Sequence, residues 1–294
     1  MVEERKETQK EEENEKKATT EKIEITEEKP LAEQGETSTI EEPIENIAKD
    51  EEELGKKIEM ESVDIQEWKP KTSIGKKIKT GEINNIDQIL DSGKRILESE
   101  IIDILLPNLE SDLLLIGQSK GKFGGGQRRV FRQTQKKTRE GNKPKFSTCA
   151  IVGDRSGHVG LGFGKAKETV PAREKAIRRA KLNIIKIRRG CGSWQCTCHE
   201  GHSIPFAVEG KCGSVRIKLM PAPKGKGLVI EKECAKMLAL AGITDIISKT
   251  KGQTGTKINL IKACFNALEQ LTKIKISSSD IPNLSIIEGG AKNE

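Results

Sequence analysis

The sequence predicts an α+β protein with two small domains and a disordered N-terminal extension. Residues 118–190 show three strand-like stretches followed by one helix, and residues 204–276 alternate between strands and helices. Only 34% of the 294 residues are hydrophobic and 3% are aromatic, whereas 33% are charged. Because such a composition does not fill one large core, small domains with disordered additions fit the chain better.

Charge is distributed unevenly along the chain. Residues 1–60 carry about −11, residues 61–117 about −4 and residues 118–294 about +22, against a formal net charge of +7 for the whole chain. The first segment is rich in Glu, Lys and Thr. It is predicted to be disordered because it buries too little apolar surface to offset its conformational entropy. A basic body behind an acidic extension indicates a polyanionic partner, most often nucleic acid.

Two sequence features bear on where the protein works. No stretch approaches 18 consecutive apolar residues and the N-terminus lacks the apolar core of a signal peptide, so neither a membrane nor secretion is expected. Seven cysteines, an odd number without a secretory signal, are typical of a reducing cytosol. The expected location is the cytoplasm.

The segment 61–117 is predicted to be a helical lead-in. Its apolar pattern favours helices over residues 83–90 and 100–105, and Pro107 ends the second of them. A glycine-rich, basic loop over residues 120–129 follows, and its composition is typical of a flexible connection.

The first domain is predicted over residues 118–190 as an antiparallel meander closed by a helix. Short turns separate its three strands. The helix places Ala172, Ala176, Ile177 and Ala180 on one face and basic side chains around the remainder. The strands are expected over residues 130–138, 146–152 and 158–165, and the helix over residues 170–183.

A Cys/His-rich link, residues 191–203, leads into the second predicted domain, residues 204–276. Alternating strands and helices there indicate an α/β sandwich. A helix followed by Gly242 and a longer amphipathic helix supply its helical layer. The polar residues 277–294 are predicted to be a flexible tail. The strands are expected over residues 204–208, 215–220 and 244–249, and the helices over 231–240 and 257–271.

Three blocks of sequence resemble one known protein family. The first runs from Gly153 to Glu168 and contains GHVGLGFGKAKE, and the second runs from Gly213 to Gly227 and ends in PAPKGKG. The third combines Leu240–Ile243 with Lys251–Gly252 and Lys262–Ala263. In this order and spacing the chain resembles the universal small-subunit ribosomal protein five family over roughly residues 65–275. The segments EWKPK at 67–71 and RRGCGSW at 188–194 resemble its archaeal branch.

The resemblance implies a double-stranded-RNA-binding-like N-terminal domain and a C-terminal α/β sandwich of the ribosomal protein five domain-two type. It implies that both domains pack on small-subunit rRNA beside ribosomal proteins three and four. The mRNA entry path would be near, and a loop of the first domain would approach the decoding region. The implied function is that of a structural constituent that supports assembly and translational accuracy without catalysis. Residues 1–60 and the loop 120–129 depart from the family pattern.

Basic side chains cluster along the edge of the predicted meander. At strand spacing Arg132 and Lys136 share a face, and the hairpin tip collects the others. Closely spaced bases without compensating acids neutralise phosphates and release counterions, which favours RNA contact over the alternative of a solvated hairpin. The hairpin candidates are Arg128, Arg129, Arg132, Lys136, Lys137, Arg139, Lys143 and Lys145. Further candidates for RNA contact are Lys165, Lys167, Arg178, Arg179, Arg188, Arg189, Lys224, Lys226 and Lys251.

The glycine-rich strand at residues 160–165 does not fit a nucleotide-binding loop. Val159 stands where a P-loop has its first glycine, and Ala166 replaces the hydroxyl residue that holds Mg²⁺. We interpret its glycines as positions that let an RNA backbone approach closely, with Lys165 and Lys167 on one face.

The loop over residues 221–227 combines proline and glycine with two lysines. Lys224, Lys226 and the backbone N–H groups can contact phosphate without reading a base sequence. Proline and glycine are also common turn formers, so an ordinary turn is the alternative.

Cys191, Cys196, Cys198 and His202 form the candidate metal site of the sequence. Tetrahedral zinc takes four ligands of these kinds. The spacing differs from the paired Cys-x₂-Cys arrangement, and cysteines are also common as small buried hydrophobes, so both interpretations stand. No cofactor is required, and a zinc ion would be a local structural staple.

Catalysis is not indicated. The histidines at 158, 199 and 202 have no evident carboxylate and nucleophile partners in the sequence. Two other functions compete with the ribosomal one: an extraribosomal double-stranded-RNA-binding regulator, and a kinase that uses the second domain. The absence of a phosphate-binding loop argues against the kinase, and the second domain argues against the regulator.

Overall fold

The computed structural model of the chain describes residues 68–119 and 128–290. The acidic segment 1–60, predicted to be disordered, and most of the loop 120–129 lie outside the described residues. Within the described ranges, each helix is too short or too polar to cross a lipid bilayer. The mixture of helices and two main antiparallel sheets confirms the α+β class.

Three short helices form the lead-in: α1 (Ser73–Lys79), α2 (Ile86–Asp91) and α3 (Glu100–Leu105). Helix α3 has the predicted bounds, and α2 begins three residues later than predicted. Helix α1, which was not predicted, begins at a capping residue. The Thr72 side chain accepts a hydrogen bond of 3.1 Å from the Gly75 backbone N–H.

The first sheet contains the predicted meander and two further strands. Its strand order is β1–β3–β4–β5. Strand β2 pairs with the first half of β3, on the same side of β3 as β1. All of these pairs are antiparallel. The two added strands are three or four residues long, too short to leave a pattern in the sequence. The strands are β1 (Glu110–Leu113), β2 (Arg132–Thr138), β3 (Gly141–Gly153), β4 (His158–Ala166) and β5 (Ile184–Lys186).

The glycines of β4 allow a helix, not an RNA backbone, to approach closely. Helix α4 (Thr169–Leu182) packs on β4, and a Cβ added to Gly160, Gly162 or Gly164 would overlap backbone atoms of this helix. The helix meets them through three fully buried alanines of its predicted apolar face, at 172, 176 and 180, whereas Ile177 of that face is only partly buried. The interpretation that these glycines face RNA is therefore wrong, because the face they open is already covered.

The second sheet has the order β7–β8–β10–β9, with only the β10–β9 pair parallel. Two helices accompany it, α5 (Lys232–Leu240) and α6 (Lys257–Lys273). Gly242 follows α5 with φ of +79°, as the predicted helix end requires. The strands are β7 (Val208–Cys212), β8 (Val215–Pro221), β9 (Leu228–Val229) and β10 (Ile246–Lys251).

The first strand of this sheet lies four residues later than predicted. The apolar stretch 204–208 predicts a strand, but Ile204 is buried before the strand begins, and β7 spans residues 208–212. Gly210 is needed inside β7 because a Cβ there would overlap the Ala263 backbone of α6. The actual turn is the two-residue step Gly213–Ser214, with Gly213 at φ of +60°.

One hydrophobic core joins both sheets. It takes Ile151 from β3, Val159 from β4, Ile217 from β8 and Leu268 from α6, all almost completely buried. Helix α5 contacts β3 and β4 of the first sheet and β9 of the second, and α6 contacts β7 and β8 as well as β5. The two regions predicted as separate domains therefore share their interior.

The end of the described chain is folded where the sequence predicts a flexible tail. Helix α7 (Asp280–Asn283) is followed by β11 (Ile287–Glu288), which pairs with β6 (Arg188–Arg189). The flexible tail was predicted from polar composition alone. Strand β11 has only two residues and no apolar run, and it is held by its pairing with β6 and by an arginine of that strand.

Candidate RNA-binding surface and metal centre

The β2–β3 hairpin extends beyond the rest of the first sheet. Residues 141–145 of β3 pair only with β2, because β4 pairs with β3 from Phe146 onwards. At about 3.4 Å per residue, this portion projects roughly 15 Å past the end of β4. The hairpin therefore offers both of its faces to a partner near the tip.

Five of the predicted RNA-contacting bases share one face of this sheet. Arg132, Ser147 and Lys165 are aligned across β2, β3 and β4, and Lys136 is paired directly with Lys143. Because side chains alternate along each strand, the expectation that Arg132 and Lys136 share a face is confirmed. We call this set the basic sheet face. It consists of Arg132, Lys136, Lys143, Lys145 and Lys165, all exposed.

Few acids offset the charge of the basic sheet face. Among the described residues, Lys143 alone of the five has an ion pair, 2.6 Å from Glu140 in the hairpin turn. Directly opposed like charges such as Lys136 and Lys143 destabilise an antiparallel pair. A surface that keeps such a pair exposed suits an anionic ligand that neutralises it.

Lys262, which was not among the predicted RNA-contacting bases, extends the basic sheet face towards α6. Its ammonium nitrogen lies 4.7 Å from the centroid of the Phe163 ring, two residues before Lys165 on the same face of β4. The sequence signal was present, since Lys262 belongs to one of the family blocks, but its distance from the hairpin along the chain concealed the proximity.

The other predicted bases are dispersed. Lys167 follows β4, Arg178 and Arg179 lie on α4, and the Arg179 guanidinium donates to the Phe163 carbonyl at 2.8 Å. Arg128 forms an isolated bridge with Ser119 near the hairpin base. The structure thus brings these side chains to several surfaces rather than one. Those that are exposed outside the basic sheet face are Arg128, Arg129, Lys137, Arg139, Lys167, Arg178, Arg179, Lys224, Lys226 and Lys251.

Arg188 and Arg189 serve the fold, and the candidate RNA surface does not include them. Arg188 pairs with Glu288 of β11 at 2.5 Å and donates to the Ile274 carbonyl at 2.6 Å. Arg189 donates to the carbonyl of Ser156 at 2.9 Å. Both side chains are partly buried. The pattern of two adjacent arginines suggested RNA contact because their partners lie far away in the sequence.

The four predicted metal ligands converge in the link between the two sheets. The Sγ atoms of Cys191, Cys196 and Cys198 and a ring nitrogen of His202 all lie within 4.8 Å of one another. The Sγ atom of Cys198 is 3.2 Å from that of Cys196 and 3.6 Å from that of Cys191. The His202 Nε2 atom is 3.6 Å from Cys196 Sγ. The arrangement can hold a tetrahedral metal ion.

A buried carboxylate orients the histidine of this cluster. The Nδ1 atom of His202 is 2.9 Å from Asp245 Oδ2, so Nε2 is the nitrogen that faces the cysteines. Asp245 is itself fixed by the Gly227 backbone N–H at 2.8 Å and by Thr244 Oγ1 at 3.0 Å. These hydrogen bonds keep the pKa of the Asp245 carboxyl below its usual value despite the opposing effect of burial.

The predicted phosphate-contacting loop, residues 221–227, lies against the cysteine cluster. A hydrogen bond from the Lys224 backbone, helped by the Cys198 thiol, lowers the pKa of Cys196 to about 6. The Lys224 side chain pairs with Glu200 at 2.7 Å, an exposed contact of small energetic weight. One of the two loop lysines is thus engaged within the chain, whereas Lys226 has no ion pair in the described part of the chain.

A second buried histidine joins the lead-in to the first sheet. His158 places Nδ1 2.6 Å from Asp154 Oδ2 and Nε2 3.1 Å from Asp87 Oδ1 on α2. Burial alone would lower the pKa of His158, but the hydrogen bonds and charges of the two carboxylates outweigh it and raise the pKa to about 9. No carboxylate partner of His158 or His202 was evident in the sequence, whereas the structure gives His158 two such partners and His202 one.

Comparison with known proteins decides the family. The chain matches the ribosomal protein S5 N-terminal domain over residues 130–188 and the ribosomal protein S5 C-terminal domain over residues 210–280. It is 49% identical over 232 residues to small ribosomal subunit protein uS5 of Nanoarchaeum equitans, covering 79% of this chain and 100% of that protein. The chain belongs to the ribosomal protein S5 family. The resemblance found in the sequence is confirmed.

Other S5 family members show the same degree of similarity. Small ribosomal subunit protein uS5 of Methanothermobacter thermautotrophicus is 44% identical over 222 residues, covering 76% of this chain and 96% of that protein. The protein of the same name from Methanocaldococcus jannaschii is 44% identical over 225 residues, covering 76% of this chain and 97% of that protein. The archaeal character of these relatives agrees with the archaeal segments in the sequence.

The S5 signature around the β3–β4 turn has a structural explanation. Asp154 accepts hydrogen bonds from the backbone N–H groups of Ser156 and His158, at 2.8 and 3.0 Å, and so shapes the turn. Gly153 is required because a Cβ would overlap the Leu240 carbonyl at the end of α5. The signature thus fixes the junction between the two sheets, and the basic sheet face lies at the other end of β4.

Proposed function

We propose that this chain is a structural constituent of the small ribosomal subunit and binds small-subunit rRNA through its basic sheet face. The observation that carries the proposal is the alignment of five exposed bases on one face, four of them without an ion pair in the described part of the chain. Family membership supports the ribosomal setting, because S5 relatives are named as small-subunit proteins.

Phosphate contact is the mode of binding that this surface favours. Lys and Arg side chains spaced along strands neutralise phosphates but read no base edges by themselves. In A-form RNA the phosphates and 2′-hydroxyls are presented across a wide, shallow minor groove, which suits recognition by shape. The projecting hairpin reaches far enough, about 15 Å, to enter a groove while β4 remains outside it. Binding by these means requires no turnover.

The family resemblance supports a finer location, which we also propose. We place the chain near the mRNA entry path beside ribosomal proteins three and four, in the cytoplasmic ribosome, with a supporting role in assembly and accuracy. The S5 family is one of structural proteins rather than enzymes, and membership in it argues against the extraribosomal regulator and the kinase. A cryo-electron map of the native small subunit tests this location directly.

A charge-matched pair of variants tests the basic sheet face. The first variant replaces Arg132, Lys136, Lys143 and Lys145 with alanine. The control replaces four exposed lysines outside that face with alanine: Lys211, Lys232, Lys249 and Lys275. Both variants lose four positive charges, so a difference between them reports position rather than net charge.

The measurement is the affinity of the full chain for a small-subunit rRNA fragment as a function of salt. Each lost phosphate contact should reduce the slope of log K against log salt by somewhat under one unit, using the DNA coefficient of about 0.9 as a guide. We expect the slope of the first variant to fall by up to about 3.6 units and the slope of the control to stay near that of wild type. Equal losses in the two variants, or none in the first, would refute the assignment.

A further inference from the structure

We propose that Cys191, Cys196, Cys198 and His202 bind one structural zinc ion, which ties the link between the two sheets to the loop at residues 221–227. Three thiolates and one imidazole form a closed set of four ligands of the kind that zinc prefers in structural sites. The site is independent of RNA binding, so it stands whether or not the basic sheet face contacts rRNA.

The ligand distances approach those of a tetrahedral zinc site. With Zn–S near 2.3 Å and Zn–N near 2.0 Å, the edges of the tetrahedron are about 3.8 Å for S···S and about 3.5 Å for S···N. The Cys198–Cys191 and Cys196–His202 edges, both 3.6 Å, are close to these values. The Cys196–Cys198 edge, at 3.2 Å, has to open by about half an ångström. It is far longer than a disulfide bond of about 2.05 Å.

The histidine is held in the tautomer that a metal requires. With Nδ1 donating to Asp245, the lone pair of Nε2 points at the sulfur atoms. A carboxylate behind a metal-bound histidine fixes the ring and raises its basicity. Asp245 does not move freely, because the Gly227 backbone N–H and Thr244 Oγ1 also donate to it.

The alternative, cysteines acting as small hydrophobes, fits the other cysteines better than these. Cys149, Cys234 and Cys264 are fully buried within β3, α5 and α6, as that interpretation requires. Cys196 and Cys198 are only partly buried, and they lie in a stretch from 191 to 207 without helix or strand. Three thiols and an imidazole that converge on one point from such a segment need a further reason, and a bound ion supplies it.

The zinc ion would hold two segments in place. The four ligands come from the link. The residues that contact this part of the link come from the loop and from the segment before β10. Glu200, two residues before His202, pairs with Lys224 of the loop, and Asp245 hydrogen-bonds to both His202 and the Gly227 backbone. Loss of the ion should therefore loosen the segment that carries Lys224 and Lys226.

Metal content of matched variants is the first test. The full chain is purified with a phosphine reductant and without added metal, and its zinc is measured by elemental mass spectrometry. Wild type should hold about one equivalent per chain, as a four-ligand site requires. Cys196→Ser and His202→Asn should each lose it. Their controls, Cys212→Ser and His199→Asn, should keep it, since neither Cys212 nor His199 belongs to the cluster.

A second measurement decides the case even if the ligand variants fail to fold. Wild-type protein is stripped with a chelator under reducing conditions and titrated with cobalt(II). A tetrahedral thiolate site gives strong visible d–d bands and sulfur-to-cobalt charge-transfer bands, and zinc should abolish them at one equivalent. Trp194, 91% exposed and two residues before Cys196, adds a local reporter. In a Trp68→Phe background, its emission and anisotropy should change when zinc is added.

Three results would overturn the proposal. One is wild-type protein that holds no zinc and gives no tetrahedral cobalt spectrum. Another is zinc retained by both Cys196→Ser and His202→Asn at the wild-type level. The last is a Cys196–Cys198 disulfide found by mass spectrometry under the reducing conditions of the purification, because oxidised cysteines cannot supply the ligand set.

Discussion

His158 Nε2 lies 3.1 Å from Asp87 Oδ1, and this contact fastens the helical lead-in to the first sheet. A second ion pair, Lys186 with Asp91 at 2.6 Å, supports the same junction from β5. The lead-in carries a net negative charge, and two of its aspartates, Asp87 and Asp91, attach it to the first sheet. They pair with cationic groups that the first sheet presents along its β4–β5 side.

The first prediction concerns pH. The pKa of His158 is about 9 in the folded protein, above the value of about 6.5 expected in the unfolded chain, so its contribution to stability is complete below pH 6.5 and is lost as pH rises towards 9. We expect His158→Asn to cost at most about 3 kcal/mol at pH 6 and progressively less at higher pH. Urea unfolding at pH 6, 7.5 and 9 measures the difference, and the exposed His199→Asn should follow wild type throughout.

The second prediction concerns the glycines of β4. Gly162→Ala places a Cβ inside the backbone of α4 at Ala176 and Ala180, and the helix has to move away from the sheet. Overpacking of this kind should cost about 3 kcal/mol or more, since the atoms that must shift are backbone atoms. Gly255→Ala is the control, because its nearest atom would be 3.8 Å away. Thermal unfolding compares them, and an equal effect of the two substitutions would contradict the packing role.

The third prediction separates a structural arginine from an RNA-binding one. Arg188→Ala removes an ion pair to Glu288 and hydrogen bonds to the carbonyls of Leu271 and Ile274. Removing these partly buried bonds should lower stability by about 1–3 kcal/mol. The affinity of the folded protein for rRNA and its salt slope should stay at wild-type values. If the substitution instead reduced the salt dependence of rRNA binding without lowering stability, Arg188 would have to be counted among the RNA-contacting residues.

The fourth prediction is that one substitution changes protein stability and rRNA affinity in opposite directions. Lys136→Glu replaces a like-charge pair with an opposite-charge pair across the hairpin, facing Lys143. The substitution should stabilise the protein by about 0.2–1 kcal/mol and weaken its binding to rRNA, because a phosphate contact becomes a repulsion. Lys211→Glu, on an exposed position of β7, controls for net charge. Weaker binding together with lower stability would point to a damaged hairpin rather than a lost contact.

The glycine row of β4 shows both the reach and the limit of sequence reasoning. Alternating glycines correctly predict a strand that something approaches closely. The pattern does not show which group approaches the strand. The RNA backbone was predicted, but the structure shows a helix. The approaching residues lie eight to twenty positions later in the chain, as alanines at spacing four that the sequence predicts on one helix face. Matching the two rows would have required knowledge of their register.

Long-range partners account for most of what the sequence did not disclose. The cluster of three cysteines and His202 could be predicted because its four residues lie within twelve positions of one another, whereas Asp245 and Asp87 are 43 and 71 positions from the histidines they contact. The same distance effect hid the partner of β6 and the role of Lys262. Local patterns predict elements, and they say little about which elements meet.

The shared interior has a consequence for how this chain can come apart. Helices α5 and α6 contact both sheets. Dividing the chain near the link would therefore expose apolar side chains of the shared core in both fragments. A fragment ending at residue 203 would lose α5, which packs against β3 and β4, and a fragment starting after residue 203 would keep α5 but lose the two strands that it packs against. Melting should therefore be a single cooperative event for the sheets and helices together, with equal calorimetric and van't Hoff enthalpies, rather than two separate transitions.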